Sequence, residues 1–321
     1  MPFKNILIKT KDFVLKVYEK TSDDNAFNLA AALAYYTMFS IVPMLYIIIK
    51  SLGIIFDQKE ISSTIFKVLS DLVGAQGANA LQETLANLVV NESGWFQNFI
   101  GIIILIFTAT TIFTTIQNGL NYIFRVKPKP KIGALKFFKT RLLAFSIIIG
   151  ISFTLVVSLV INALIAITTN YLMNSFPDIE FIINILNNYL LPFLISTLFF
   201  GIIFKSLPDA KLSWKDALIG ATFTGVLLTL GRYTIGIYVA SSNIASLYDA
   251  AGSIMILFIW LYYTALIFYI GAVFTVVYAE EFGNGVVPEK NTLRFIHKEL
   301  KIADENEKVI ANERNEKVID N

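Results

Sequence analysis

Six long apolar stretches constrain this chain more than any other feature. A helix that crosses a bilayer needs about 20 predominantly apolar residues, and stretches of this kind fall at 30–54, 99–124, 142–173, 190–204, 217–239 and 250–280. Lipid offers no hydrogen bonds, so each stretch must satisfy its own backbone and is expected to be helical. The fourth is the shortest and is expected to start nearer residue 181, with Pro192 as an internal kink. The third and sixth exceed the minimum span and are expected to tilt or project. Only 16% of the residues are charged and 55% are hydrophobic, against roughly 25% and 45–50% in soluble domains. The expected fold is an all-α integral membrane bundle of six transmembrane helices.

The placement of Lys and Arg orients that bundle. Five lysines precede residue 21, seven Lys or Arg lie at 125–141, three at 205–215, and seven follow Glu281, which puts 22 of the 26 on one side. The loop 57–96 carries only Lys59 and Lys67, and the third and fifth loops carry none. Positively charged loops stay cytoplasmic, so both termini are expected inside, in agreement with an even number of spans. The chain then divides into a cytoplasmic amphipathic segment 1–25, a membrane domain 26–281 and a charged cytoplasmic tail 282–321.

Lys4, Lys9, Lys11 and Lys16 interrupt any apolar core that a cleavable signal would need. Phe3, Ile6, Leu7, Phe13, Val14 and Val17 recur at near-helical spacing between them, which predicts a helix on the inner leaflet. Ser22-Asp23-Asp24-Asn25 offers capping side chains at the start of the first span. In the loop 57–96, Ile61, Ile65, Val68, Leu69, Leu72 and Val73 make one helical stripe and Leu81, Leu85, Leu88 and Val89 a second, with Gly74 to Gly77 between. Two short amphipathic helices at the outer face are expected, packed on the bundle or covering a cavity. In the tail, Asn306-Glu307-Lys308-Val309-Ile310 returns as Asn315-Glu316-Lys317-Val318-Ile319, a charged repeat to which no chemistry is assigned.

The inventory excludes several chemistries. With no Cys and a single His, His297, the chain has no disulfide, no thiolate metal site and no serine-type triad. No metal and no cofactor are expected, and no Walker A motif is present.

Four ordered motifs carry a resemblance. Ala34-Tyr35-Tyr36-Thr37-Met38-Phe39-Ser40-Ile41-Val42-Pro43 resembles the first-span signature of the YihY/BrkB family of bacterial membrane proteins, once labelled ribonuclease BN. Gln117-Asn118-Gly119-Leu120-Asn121 running into Val126-Lys127-Pro128-Lys129-Pro130 resembles its second span and basic loop. Leu207-Pro208-Asp209-Ala210-Lys211-Leu212-Ser213-Trp214-Lys215-Asp216-Ala217 is similar to its fourth loop. Ser246-Leu247-Tyr248, Ala251-Gly252-Ser253, Leu261-Tyr262-Tyr263 and Gly271-Ala272 resemble its last span. The resemblance covers about residues 25–285 and implies a six-span inner-membrane protein. Two positions depart from the family pattern: Asp249 follows Tyr248 where Gly is usual, and Val273 follows Gly271-Ala272 where Glu is common. A proton or cation relay through that carboxylate is therefore not implied for this chain. The ribonuclease label is not supported either, because metal-dependent RNA cleavage needs clustered carboxylates or His, and basic residues beside a membrane are what topology alone demands. Nucleic acid is not an expected partner, and no enzymatic activity is expected.

Two cations remain inside apolar spans. Arg232 lies seven residues before Val239, roughly 10 Å below the outer end of the fifth span. It either snorkels to the headgroups or offers its planar donors to an anionic group in an outward-open cavity. Lys50, near the outer end of the first span, is an interfacial anchor or a second contributor, and Asp249 is a counter-ion or a helix cap. Tyr35, Tyr36 and Ser40 on the first span, with Gln117, Asn118 and Asn121 on the second, are expected to face the bundle, since lipid would leave their donors unpaired. They bond between helices or line a substrate path. Ala30-x-x-x-Ala34 and Ala221-x-x-x-Gly225 permit close helix contact. The function expected is transport or export of an anionic amphiphile or small solute, with a non-catalytic envelope or scaffold role as the alternative. The bilayer is the expected partner.

Overall fold

The computed structural model describes residues 2–53, 57–89, 95–128, 185, 190–241, 250–289 and 292–295. Seven helices carry most of them: α1 Pro2–Asp23, α2 Ala26–Leu52, α3 Gln58–Val89, α4 Trp95–Ile123, α5 Leu191–Ser206, α6 Trp214–Ser241 and α7 Ala250–Phe282. The first, second, fourth, fifth and sixth apolar stretches fall on α2, α4, α5, α6 and α7. The expected third span, the charged repeat and Asp249 lie outside the described residues. Among those described, two helical segments, Ala26–Lys50 and Leu257–Phe282, are long and apolar enough to cross a membrane, and Phe193–Ser206 is a shorter apolar helix. α5 is described from Leu191 with Pro192 in its first turn, and the expected start nearer residue 181 falls outside the continuously described residues.

α6 and α7 run antiparallel in close contact, and glycines set their separation. A Cβ on Gly220 would lie 1.7 Å from Thr275 Oγ1, one on Gly271 1.9 Å from Thr224 Oγ1, and one on Gly231 1.3 Å from the Tyr263 hydroxyl oxygen. Gly220 and Thr224 are four residues apart on α6, as Gly271 and Thr275 are on α7, so the two helices present the same pair to each other in reverse order. Each threonine hydroxyl donates to its own helix, Thr224 to the Gly220 carbonyl and Thr275 to the Gly271 carbonyl, both at 2.7 Å. The interface therefore holds two buried hydroxyls without an unsatisfied donor. Ala221 is fully buried and Gly225 packs on Phe193 and Thr197 of α5, in line with the close contact expected of that small-residue pair. Val273 is fully buried in the core.

Two apolar clusters fill the bundle. One gathers Ala30, Leu120, Phe204, Ala221, Tyr269 and Val276, and the other gathers Ile41, Leu45, Phe113, Leu257 and Leu261 with Ile61, Phe66, Leu81 and Leu85 of α3. α3 is thus packed on the bundle by both of its predicted stripes. Asp57 caps it, accepting from the N–H groups of Lys59 and Glu60 at 2.9 and 3.1 Å. The two short helices expected here are joined as one. Asp57, Lys59, Ser62 and Gln82 line a cavity of about 620 Å³ on it.

The start of α2, the ends of α4, α5 and α7 and the start of α6 meet at one end of the bundle. Two antiparallel strand pairs, absent from the all-α expectation, tie the connections there. β1 Val126–Pro128 pairs with β4 Thr292–Arg294, and β2 Ala210–Lys211 pairs with β3 Val287–Pro288. The N-terminal helix and the described segments around 125, 210 and 290 are thereby brought together, with Lys16, Lys20, Arg125, Lys127, Lys211 and Arg294 among their side chains. For these cations we call it the basic end.

Candidate functional site

Polar side chains at the basic end are organised around three long-range links. The first is Asp24, fully buried, which takes Lys20 at 2.7 Å and Arg125 at 3.2 Å. The two left-handed non-glycine residues among those described, Asn25 at φ 50° and Arg125 at φ 54°, stand at this ion pair. Such conformations cost energy and persist where the surroundings over-determine them; here the Asp24–Arg125 pair and the α1–α2 turn fix each other. The expected cap at 22–25 is therefore corrected. Asn25 makes no side-chain cap bond and turns the chain by its backbone, while Asp24 serves the arginine.

The second link is Asn121. Its amide donates to Asp209 Oδ2 and its carbonyl oxygen accepts from the Asp209 N–H, both at 2.8 Å, so the last turn of α4 clamps the connection between α5 and β2. Lys205 closes the same connection by donating to the Leu212 carbonyl. Ser213 then opens α6 as a cap, accepting from the Asp216 N–H at 3.1 Å. Asp216 is buried against Gly283 at the end of α7, where a Cβ would lie 2.5 Å from its carboxylate.

The third link binds α1 to α7. Phe13 packs edge-on against Phe274 at 5.3 Å. Lys16 donates to Glu281 at 2.5 Å, and Arg294 to Glu280 at 2.7 Å. The Glu281 hydrogen bond raises the Lys16 pKa above its ordinary value, so the lysine carries its charge at neutral pH and gives it up only as pH rises past that raised value. A cavity of about 270 Å³ lies among Lys16, Lys20, Arg125, Glu280 and Arg294. A second groove, of about 530 Å³, is lined by Asn118, Asn121, Tyr122, Lys127, Pro128 and Phe295.

The expected site residues do not converge. Asn121 and Ser40 are buried, Gln117 is half-buried and Asn118 is exposed. Tyr35 and Tyr36 are 54% and 44% exposed, forming an aromatic stripe with Phe39 and not facing the packed side of α2 as expected. An aromatic ring is apolar enough to stand outside the core, whereas the small hydroxyl of Ser40 fits inside it. Lys50 is exposed at the other end of α2, 3.4 Å from Gln58 Oε1 and over the Tyr46 ring. That is the arrangement of an anchor. Arg232 lies on α6, two turns beyond Gly225, so its position shares the face that packs on α5; Val226, Leu230 and Thr234 form the exposed stripe of that helix. The sequence marks Asp24 only as a potential cap and gives Asp209 and Asp216 no site role, because a carboxylate's burial depends on cations and backbone that arrive from elsewhere in the chain. The Ser213-x-x-Asp216 spacing was the one local signal among them.

Helices packed through glycine contacts, two of them long and apolar enough among the described residues to cross a membrane, fit a helical membrane protein. The chain belongs to the Virulence factor BrkB family, whose model matches residues 17–294. It is 28% identical over 289 residues to a UPF0761 membrane protein of Psychromonas ingrahamii, covering 84% of this chain and 89% of that protein. A Vibrio vulnificus relative of the same description is 28% identical over 273 residues, covering 84% and 82%. A Pseudomonas aeruginosa relative is 25% identical over 252 residues, and there this chain spans only 58% of the relative's length. No solved structure matches.

Proposed function

We propose that the protein is a six-span, inner-membrane transporter or exporter of an anionic amphiphile or small solute, with both termini cytoplasmic and Arg232 as the anion-binding group of an outward-facing pocket. The observation that carries this reading is the register of α6. Arg232 shares the face of Gly225, away from the exposed stripe, and a guanidinium on the packed side of an apolar helix needs an anionic or polar partner. The topology draws support from the basic end, where the segments rich in Lys and Arg meet. It draws further support from chain direction: α4 and α5 both end there, which requires the chain between them to return to the opposite end, and 142–173 is an apolar stretch long enough to do so. The reading assigns no catalytic step and no cofactor.

The chain has no Cys, so single-cysteine labelling is clean. In intact cells, Arg232→Cys is expected to react with a membrane-impermeant maleimide that enters an outward-open pocket. Lys59→Cys is expected to react from outside, and Lys211→Cys only after permeabilisation. An Arg232→Cys protein that inserts normally yet stays unlabelled removes the pocket, and labelling of Lys211→Cys in intact cells reverses the topology.

A further inference from the structure

The groove beside Asn118 has no part in the transport reading, and its lining follows the order of a phospholipid. Ile103 and Phe107 are exposed on α4, and Thr111, Thr115 and Asn118 follow them along the helix toward the groove. The hydroxyls on the way are already used: Thr111 donates to the Phe107 carbonyl at 2.9 Å, Thr114 to Thr110 at 3.1 Å and Thr115 to Thr111 at 2.9 Å. Between Phe107 and Asn118 this face thus offers no unused hydroxyl, and the eleven-residue step spans about 16 Å, close to half of a ~30 Å hydrocarbon core.

At the end of that path the chemistry changes. Asn118 is exposed and its carboxamide has no partner among the described residues, although the neighbouring Asn121 is fully committed to Asp209. Lys127 is exposed on β1 and has no ion-pair partner among the described residues. Both line the same groove, with Tyr122, Pro128 and Phe295 on its other sides. A free carboxamide is costly in hydrocarbon and favourable at the headgroup level, so Asn118 marks that level on α4. The carbonyl end of α4 disfavours an anion here, which leaves the Lys127 ammonium as the group on which anion binding depends.

We propose that this groove binds an anionic phospholipid, its phosphate between the Lys127 ammonium and the Asn118 carboxamide and its acyl chain on the Phe107 and Ile103 face of α4. The site does not require transport and is separate from Arg232.

The full-length protein in nanodiscs of phosphatidylcholine doped with phosphatidylglycerol tests it, with retained lipid read by native mass spectrometry after extraction. The wild type and Lys59→Gln are expected to retain phosphatidylglycerol in preference to phosphatidylcholine. Lys127→Gln and Asn118→Leu are expected to lower that retention about tenfold, the loss of one charge-assisted hydrogen bond, while Lys127→Arg keeps it. All positions are exposed, and an unchanged melting temperature verifies folding. Equal retention by Lys127→Gln, or no preference between the two lipids, reduces the groove to ordinary annular contact and overturns the proposal. Displacement of the lipid by free glycerol phosphate as effectively as by phosphatidylglycerol overturns it in favour of a soluble-phosphate site.

Discussion

Gly220→Ala is the sharpest test of how α6 and α7 are held, because two effects of known size oppose each other. Helix propensity favours alanine over glycine by about 1 kcal/mol. Against that, the new Cβ would stand 1.7 Å from Thr275 Oγ1, where ordinary contact begins near 3.4 Å. Relief comes in one of two ways. If the helices part, the interface is overpacked at a typical cost of about 1–3 kcal/mol. If Thr275 rotates, its hydroxyl leaves the Gly271 carbonyl and is stranded in a fully buried position, also about 1–3 kcal/mol. Because Thr224 and Gly271 share the interface four residues away, parting at Gly220 loosens that contact too. The expected net result is destabilisation of up to about 2 kcal/mol, measured by unfolding in mixed detergent–SDS micelles followed by far-ultraviolet circular dichroism. Thr275→Gly removes the clashing atoms, so it is expected to couple with Gly220→Ala by about 1 kcal/mol or more in a double-mutant cycle. The distant pair Gly231→Ala and Thr275→Gly should add within ~0.5 kcal/mol. A Gly220→Ala protein more stable than the wild type, as propensity alone requires, would refute the reasoning, as would simple additivity with Thr275→Gly.

The basic end supplies two further tests. Asn121→Leu should cost about 2–3 kcal/mol by removing two bonds to Asp209 and leaving its carboxylate short of a donor; it should also speed proteolysis at 207–211, and a cleavage rate equal to that of the wild type would contradict the clamp. Arg125→Met leaves the buried Asp24 with Lys20 alone, an expected loss of about 1–3 kcal/mol. Adding Asp24→Asn should recover much of that loss by removing the charge, and a double variant no more stable than Arg125→Met would argue that the arginine acts by packing only.

The positions of the helices were legible because a helix in lipid satisfies its backbone locally, so an apolar run of sufficient length is nearly the whole requirement. α2, α4, α6 and α7 fall on four such runs. Small residues at Ala221 and Gly225 also marked a close contact correctly. The polar residues were less legible. Asn121 and Asn118 are three residues apart on one helix, yet one is locked to Asp209 and the other is exposed in a groove. Nothing in their local sequence separates them.

By itself, then, the sequence determined a helical membrane protein, the five apolar stretches that fall on described helices, and which of the segments between them carry Lys and Arg. These depend on composition and on spacing within a turn or two. Tertiary structure alone decided which side chains those segments use. Asp24 meets Arg125 across 101 residues, Asn121 meets Asp209 across 88, and Lys16 meets Glu281 across 265. A charge or an amide carries no mark of its partner; only the folded chain, by bringing the ends of α1, α4, α5 and α7 together, turned a potential cap into a buried counter-ion and left one asparagine and one lysine free in a groove.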